Sequence, residues 1–467
     1  MHRTETGRSA DLGWAGVAVL CLAQFVDVLG VTVVITALPA MLDGLGAPAS
    51  ASTLVVTGYA MFFGGLLMLG ARLGDRYGHR RILVLGLVAF GAASLLAATS
   101  GTVAMLVAAR CVQGAAAAAS VPNALRLITA GTRDEHRRRA LAAWSATGAA
   151  AGASGFLLGG VLTDLAGWAA VFWVNVPLAA VLVVAVRATV PGGPGERGGS
   201  LDLPGAVLLT GGVMALVSGS SGLEGDHRGL GVALLAGGVL LLVSLVRVES
   251  RADRPLISAE AVRHPHLRLG VAVALLNTAT TSSMMTLATL HLQRAEGVTA
   301  SAAGLQFLPF SLCVVAGSSL AAPLLRRRTP RAGMVAGLLL IAAGDAALLA
   351  LPAGGWILLL GVSVAGLGIG LASVASNTLG TDVPAALQGT ASGALNTAAQ
   401  LGHALGVAAF LLLATSTDGS GLPLVGTPLA WGAAALTAAL AALVIAGVPM
   451  VRPGAEHIQH AGLLPGQ

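Results

Sequence analysis

The stretch "GARLGDRYGHRR", residues 70–81, separates two long apolar segments, 53–71 and 82–100. Each segment has about the 20 residues that an α-helix needs to cross roughly 30 Å of hydrocarbon. The arginines and the aspartate between them need water or the headgroup region, because charged side chains are costly inside a membrane. The pattern therefore predicts two membrane helices joined by a short basic loop.

The composition extends this interpretation to the whole chain. Of its 467 residues, 55% are hydrophobic and only 10% are charged, and the mean hydropathy is +0.85. These values exclude a soluble globule with an ordinary charged surface. The 64 glycines are typical of membrane helices that pack closely through small residues. The three cysteines lie in apolar segments and predict no disulfide framework.

The hydropathy pattern predicts fourteen spans. Twelve is the alternative, because the apolar segment 331–379 is interrupted only at "LPAGGW". The predicted spans are 14–38, 53–71, 82–100, 103–129, 140–163, 169–190, 203–221, 229–247, 268–291, 303–325, 332–352, 356–379, 391–415 and 427–450.

The arginines predict the orientation of the chain, since cytoplasmic loops retain basic residues. With both termini cytoplasmic, all but four of the 26 basic residues fall on the cytoplasmic side. The four are Arg228 and Arg294 in outside loops, and Arg110 and Arg126 within span 4. This distribution explains the positive charge by topology, and it predicts no nucleic-acid partner.

Polar stretches at 187–200 and 247–268 flank spans 7 and 8. They predict a six-helix bundle over 1–190, an inserted helix pair with its linkers over 191–262, and a second six-helix bundle with a short tail over 263–467.

The loop at 70–81 resembles the signature loop of the major facilitator superfamily. Ala71 and His79 depart from that pattern at a usual glycine and a usual basic position. The resemblance implies a gating loop that holds one conformation until a proton or substrate releases it, and an ordinary basic turn is the alternative. The matching residues are Asp75, Arg76, Gly78, Arg80 and Arg81.

Span 4 contains "LVAARCVQG" (106–114), which resembles the L-x-x-x-R-x-x-Q-G pattern of the same superfamily. An arginine within a span needs an acid, a water-filled cavity or carbonyl groups to offset its desolvation. Arg110 and Gln113 are therefore candidates for a central site, with a structural role for the arginine as the alternative.

Span 5 contains "GAAAGASGFLLGGVL" (148–162). Spacings of four predict Gly148 and Gly152 on one face and Gly155 and Gly159 on another, which allows close helix contacts. The segment resembles the superfamily's antiporter motif, with Phe156 at the usual proline, and generic helix packing is the alternative. The candidate set is Gly148, Gly152, Gly155, Gly159 and Gly160.

Span 1 includes "QFVDVLGVTVVITALPAML" (24–42), in which the acid of the family pattern is replaced by Gly30. Asp27 lies three residues earlier, about 4.5 Å along the helix axis. An acid in hydrocarbon costs roughly 2.5–3.5 kcal/mol, so we expect Asp27 to exchange a proton with the central cavity. Arg110, at similar depth, is its predicted partner. A neutral structural acid is the alternative.

Span 9 contains "NTATTSSMMTLATLH" (277–291), and by the family resemblance it lines the cavity. Its methionines provide an adaptable apolar wall, and a polar packing face is the alternative. Asp345 and His403 are weaker candidates. The predicted cavity residues are Asn123, Asn277, Thr281, Met284, Met285 and Asn377.

The sequence has no phosphate-binding G-x-x-x-x-G-K pattern and no lysine, so ATP hydrolysis is not expected. We find no hydrolase triad and no metal-ligand spacing, which predicts neither an enzyme nor a metal site.

Later stretches, such as "LDLPGAVLLT" and "LQGTASGALNTAAQLGHALGVA", resemble the fourteen-spanner drug:proton antiporters of the superfamily. The resemblance implies an all-α integral membrane protein with two six-helix bundles and an inserted pair. It also implies export of small, fairly apolar compounds from the cell in exchange for protons, with no cofactor beyond the ion gradient. Uptake or facilitated diffusion is an alternative, and a membrane sensor is a more remote one. The expected partners are the substrate, protons and the lipid bilayer, and the expected state is a monomer in the cell membrane.

Overall fold

The computed structural model describes residues 12–48, 51–193, 195, 202–223, 228–251, 259–353, 355–384, 387–415 and 427–447. All regular elements in these ranges are helices. Fourteen of them are long and apolar enough to cross a membrane. The fourteen-span prediction is therefore confirmed, and the twelve-span alternative is wrong.

The fourteen spans are numbered α1 to α14 in chain order. The interrupted segment 331–379 forms two of them, α11 and α12, joined through a short 3-10 turn. Their bounds are Trp14–Gly44, Ala51–Tyr77, His79–Ala98, Val103–Gly131, Glu135–Ala166, Ala170–Thr189, Leu203–Leu223, Arg228–Glu249, Pro265–Ala295, Ala300–Arg327, Pro330–Ala350, Trp356–Gly380, Gln388–Ala414 and Thr427–Gly447.

The predicted loop at 70–81 is mostly helical. Helix α2 continues to Tyr77 and α3 begins at His79, so the turn is reduced to Gly78. Gly78 has a φ of 97°, a conformation that glycine adopts without the steric cost of a Cβ. The arginines of this stretch therefore lie on the two helices and not in a loop between them.

The helices form two groups with an inserted pair between them. Helix α4 packs on α2 and α3, and α1 packs on α5. In the second group α9 packs on α12 and α13, and α11 packs on α12 and α14. Helices α7 and α8 pack on each other, and α7 also contacts α2 and α13. The arrangement fits two bundles plus an inserted pair, while the domain boundaries at 190/191 and 262/263 remain predictions.

The two groups meet along two seams, where α2 contacts α13 and where α5 contacts α10. We call the end at which α2 joins α3 and α4 joins α5 the arginine-rich end, and the other the opposite end. These names describe the molecule itself and do not state on which side of the membrane each end lies.

Two glycines allow α2 and α4 to pack backbone against backbone. A Cβ on Gly114 would lie 2.1 Å from the Tyr59 carbonyl oxygen, and one on Gly70 would lie 1.9 Å from that of Ala118. No side chain fits at either position, so these contacts need glycine. This close packing brings Arg110 of α4 next to Tyr59 of α2.

Candidate functional site

Arg110 lies inside the first bundle with 1% of its side chain exposed. Its Nη1 atom donates to the backbone oxygen of Gly30 at 2.9 Å and to Oε1 of Gln113 at 3.0 Å. Its Cζ atom lies 4.7 Å from the centre of the Tyr59 ring, within the range of a cation–π interaction. The guanidinium therefore links α4 to α1 and α2 through neutral groups.

Gln113 extends this network to α3. Its Nε2 atom donates to the hydroxyl of Ser94 at 2.8 Å, and Ser94 donates to the carbonyl of Phe90 at 2.7 Å. The structure thus brings the predicted residues Arg110 and Gln113 together, and the network holds the arginine in one orientation.

Asp27 is also buried, with 1% exposed. Neither carboxylate oxygen has a hydrogen-bond partner among the described residues. The hydroxyl of Tyr59 donates to the backbone oxygen of Asp27 at 2.9 Å, so this tyrosine contacts both Asp27 and Arg110.

The predicted pairing of Asp27 with Arg110 is not formed in this conformation. The structure gives no ion pair between them among the described residues, whose ion pairs lie elsewhere. Arg110 instead reaches Gly30, the position of the family acid, about one helical turn further along α1. The depths of Asp27 and Arg110 along their helices predicted that Arg110 lies near this part of α1. The direction of the Arg110 side chain decided that it contacts Gly30 and not Asp27.

The glycines of α5 do not divide into the two predicted faces. A Cβ on Gly148 would lie 2.8 Å from Gln24, one on Gly155 1.7 Å from Thr32, and one on Gly159 2.3 Å from the Val33 carbonyl oxygen. These three therefore share the face that packs on α1, because spacings of seven and four return to one side of a helix.

The other two glycines of the set have different surroundings. A Cβ on Gly152 would meet nothing within 4 Å, so no close helix contact is formed at this glycine. A Cβ on Gly160 would lie 2.2 Å from the backbone oxygen of Ala300 in the second bundle. Helix α5 thus packs closely on α1 with one face and on α10 with another.

The loop residues make polar contacts with neighbouring helices at the arginine-rich end of the first bundle. Asp75 lies 3.5 Å from Nε2 of His79 and 3.9 Å from Nη2 of Arg126. Arg80 donates to the backbone oxygen of Val190 at 3.0 Å. Arg126, for which no partner was expected from the sequence, thus contacts this loop from α4.

Two other arginines of the loop have different neighbours. Arg76 lies 5.4 Å from the ring centre of Tyr77. Arg81 is exposed and, with Arg80, lines a cavity of about 310 Å³ against Gly192 and Gly193.

Asn123 lies with the loop and not with the predicted cavity residues. Its Oδ1 atom is 2.7 Å from Nδ1 of His79, and its Nδ2 atom donates to the backbone oxygens of Gly70 and Ala119 at 2.9 and 2.7 Å. The amide therefore fixes α2 against α4 near the arginine-rich end.

Buried polar and sulfur side chains of α9 form part of the interior of the second bundle. Asn277 donates to the hydroxyl of Ser373 at 3.2 Å, and Thr281 donates to the backbone oxygen of Asn277 at 2.7 Å. Met284 and Met285 are buried in an apolar cluster that also contains residues of α1 and α5. Asn377 is exposed in the last turn of α12, away from this group.

Polar contacts between the two bundles close the opposite end. Arg294 donates to Asp43 at 2.9 Å, and Gln293 donates to the backbone oxygen of Thr36 at 2.8 Å. The backbone amide of Ser301 donates to Asp164 at 2.8 Å. The sequence does not predict these contacts, because their partners lie more than a hundred residues apart.

A model of the Major Facilitator Superfamily matches residues 20–407. The chain belongs to this superfamily. It is a multi-pass membrane transporter and not an enzyme, as the family and its geometry together indicate.

Curated relatives within the superfamily cover most of the chain. A cephamycin export protein of Amycolatopsis lactamdurans is 37% identical over 442 residues, covering 90% of this chain and 89% of that protein. A puromycin resistance protein of Streptomyces alboniger is 37% identical, covering 87% and 82%. A lincomycin resistance protein of Streptomyces lincolnensis is 33% identical, covering 88% and 86%.

Solved structures support the fold. The human organic anion transporter MFSD10 has a TM-score of 0.65 at 16% identity, covering 92% of this chain and 99% of that one. The POT family transporter PepTSo has a TM-score of 0.67 at 16% identity, covering 93% of this chain and 97% of that one. At these identities the likeness shows the superfamily fold alone.

Proposed function

We propose that this transporter exports small, fairly apolar, antibiotic-like compounds across the cell membrane in exchange for protons. Support for the substrate class comes from relatives that align with most of this chain. Their names describe export of antibiotics or resistance to them. Support for proton exchange comes from Asp27.

The observation that carries the proposal is a buried carboxyl group without a hydrogen-bond partner among the described residues. Tyr59 contacts both this residue and Arg110, a buried arginine that is held by neutral groups. An isolated charge in a low-dielectric interior is strongly unfavourable, so it either becomes neutral or gains an opposite charge. Asp27 can satisfy both conditions in turn, as a neutral acid here and as a partner of Arg110 after losing its proton.

In this proposal, Arg110 changes its partner when Asp27 loses its proton. Its hydrogen bond to the Gly30 carbonyl occupies the guanidinium while Asp27 is neutral. Once Asp27 is charged, the electrostatic attraction of the pair favours a shift of about one helical turn along α1. Such a shift at the contact of α1, α2 and α4 is a means of coupling a proton to the packing of the first bundle.

The substrate enters from the arginine-rich end in this conformation, because the polar bonds between the bundles close the opposite end. Release requires that these bonds break and that the bundles close at the arginine-rich end, as in alternating access. Met284 and Met285 provide a deformable apolar wall near this closure.

We further propose that the arginine-rich end is cytoplasmic, that both termini lie on that side, and that the monomer is the functional unit. The arginine distribution supports the orientation. Attachment of an impermeant thiol reagent to a cysteine placed at Ser250, in intact cells and in inverted vesicles, tests it. Labelling in intact cells would contradict the orientation.

The test of coupling is efflux in inverted membrane vesicles with an imposed pH gradient. Wild type should accumulate a fluorescent antibiotic or dye, and a protonophore should abolish accumulation. Asp27→Asn should lose gradient-driven accumulation by about tenfold or more while keeping substrate binding, because the amide cannot release a proton. A facilitator would equilibrate the compound without accumulating it.

Asp345→Asn is the matched control, since Asp345 is equally buried in α11 and has no hydrogen-bond partner among the described residues. It should retain at least half of the wild-type accumulation. Equal pH-driven transport by Asp27→Asn and wild type would exclude Asp27 as the coupling residue.

A further inference from the structure

A groove lies on the side of the molecule between the inserted pair and the two bundles. Its volume is about 490 Å³, within the range of roughly 300–1,000 Å³ typical of ligand sites. Five spans contribute to its lining, namely α2, α7, α8, α9 and α13. The groove is therefore separate from the Arg110 network and crosses the seam between α2 and α13.

The deeper part of the groove has apolar walls. Leu275 of α9 and Leu401 of α13 line it at the level furthest from the arginine-rich end, and Gly65 and Met68 of α2 line its floor. The hydroxyl of Thr397 donates to the Gly64 carbonyl oxygen at 3.2 Å, so its hydrogen-bonding capacity is used within the protein. Such walls suit a hydrocarbon chain.

The other part of the groove lies at the arginine-rich end and is charged. Arg263 and Arg268 line it and are exposed, and Glu249 lines the facing wall. The lining therefore has a net charge of +1. From Arg268 to Leu275 the groove extends about 10 Å along α9, which is most of one leaflet of roughly 15 Å.

We propose that this groove binds one phospholipid with a net negative headgroup. Its phosphate contacts Arg263 and Arg268, and one acyl chain lies along α9 and α13 toward the middle of the bilayer. The charged part of the groove matches the headgroup at the membrane surface, and the apolar part matches the acyl chain at hydrocarbon depth. Arginine suits phosphate because its donors form a planar fork. The net charge of the lining favours an anionic over a zwitterionic headgroup.

Native mass spectrometry of the purified full chain tests the proposal, with phosphatidylglycerol and phosphatidylethanolamine of identical acyl chains as probes. Wild type should retain one phosphatidylglycerol at collision energies that remove other lipids. Arg263→Gln with Arg268→Gln should weaken its affinity about 25-fold, at roughly fivefold for each arginine. Arg247→Gln is the matched control, because Arg247 is exposed in the last turn of α8 and does not line the groove.

A second pair of variants tests the apolar part. Leu245→Trp fills the groove from α8 and should reduce retention several-fold, whereas Leu240→Trp on the outer face of the same helix should not. The stabilising effect of added phosphatidylglycerol on the melting temperature should decrease in parallel. Equal retention by all variants, or preferred retention of phosphatidylethanolamine, would overturn the proposal.

Discussion

The two bundles hold their buried polar groups in different ways. In the first, Arg110 is bonded to α1 and to Gln113, lies against a tyrosine of α2, and through Gln113 is linked to α3. In the second, Asn277 makes one side-chain bond between α9 and α12, and Met284 and Met285 continue the same helix without polar contacts. The first bundle therefore holds its buried arginine in a bonded network, whereas α9 of the second bundle presents a neutral, adaptable wall.

This difference suggests a division of labour between proton coupling and substrate contact. A change of protonation has a large effect only where a charge lies in a low-dielectric site. An apolar, flexible wall instead accommodates compounds of different shape at little cost. Four predictions test whether the bundles differ in this way.

The largest effect is expected from removal of the arginine. Arg110→Ala should lower the efflux rate roughly 10- to 100-fold, because each hydrogen bond to a charged group contributes about 1.5–3 kcal/mol. Asn277→Ala should cost less than about threefold. Efflux rates normalised to folded protein measure both, and equal losses would remove the distinction between the bundles.

Helix packing in the first bundle should give the next largest effect. Gly159→Leu would overpack α5 against α1, where a Cβ already meets the Val33 carbonyl oxygen, and should cost about 1–3 kcal/mol. Gly152→Leu has space and should leave stability unchanged. Thermal melting in detergent compares the two variants. A similar melting temperature for both would show that the α1–α5 contact does not hold the bundle together.

Substitution of the methionine wall should alter selectivity more than coupling. Met284→Leu with Met285→Leu conserves volume and should cost less than about 1.5 kcal/mol. Relative efflux of two dissimilar compounds should change by roughly threefold, and the response to the pH gradient should stay as in wild type. Loss of gradient-driven transport with an unchanged substrate ratio would contradict the division.

The smallest effect is expected at the opposite end. Arg294→Gln removes a partly exposed ion pair with Asp43, and such pairs contribute about 0.2–1 kcal/mol. The population open at that end should rise by no more than about fivefold. Electron paramagnetic resonance distances between labels on the α1–α2 and α9–α10 connections measure this. Arg138→Gln, which breaks a pair with Glu135 within one helix, should produce no change, and an equal response would exclude a gating role for Arg294.

Much of the fold follows from one-dimensional information. A span is recognised by its length and apolar content, and both are properties of a local window of sequence. The stretch at 70–81 shows the limit of this information. Its arginines predicted where the chain leaves the hydrocarbon and therefore a loop. The helices instead continue to Tyr77 and resume at His79, because helical hydrogen bonds do not depend on the surrounding lipid.

The sequence by itself determined the class of protein and the choice of Arg110, Gln113 and Asp27 as unusual residues, whereas the structure decided between fourteen and twelve spans. Their costs of burial can be read from residue type alone. Only the tertiary structure decided that Arg110 contacts Gly30, with Tyr59 next to both Arg110 and Asp27. Those contacts depend on the rotation and close approach of α1, α2 and α4, which no local sequence window specifies.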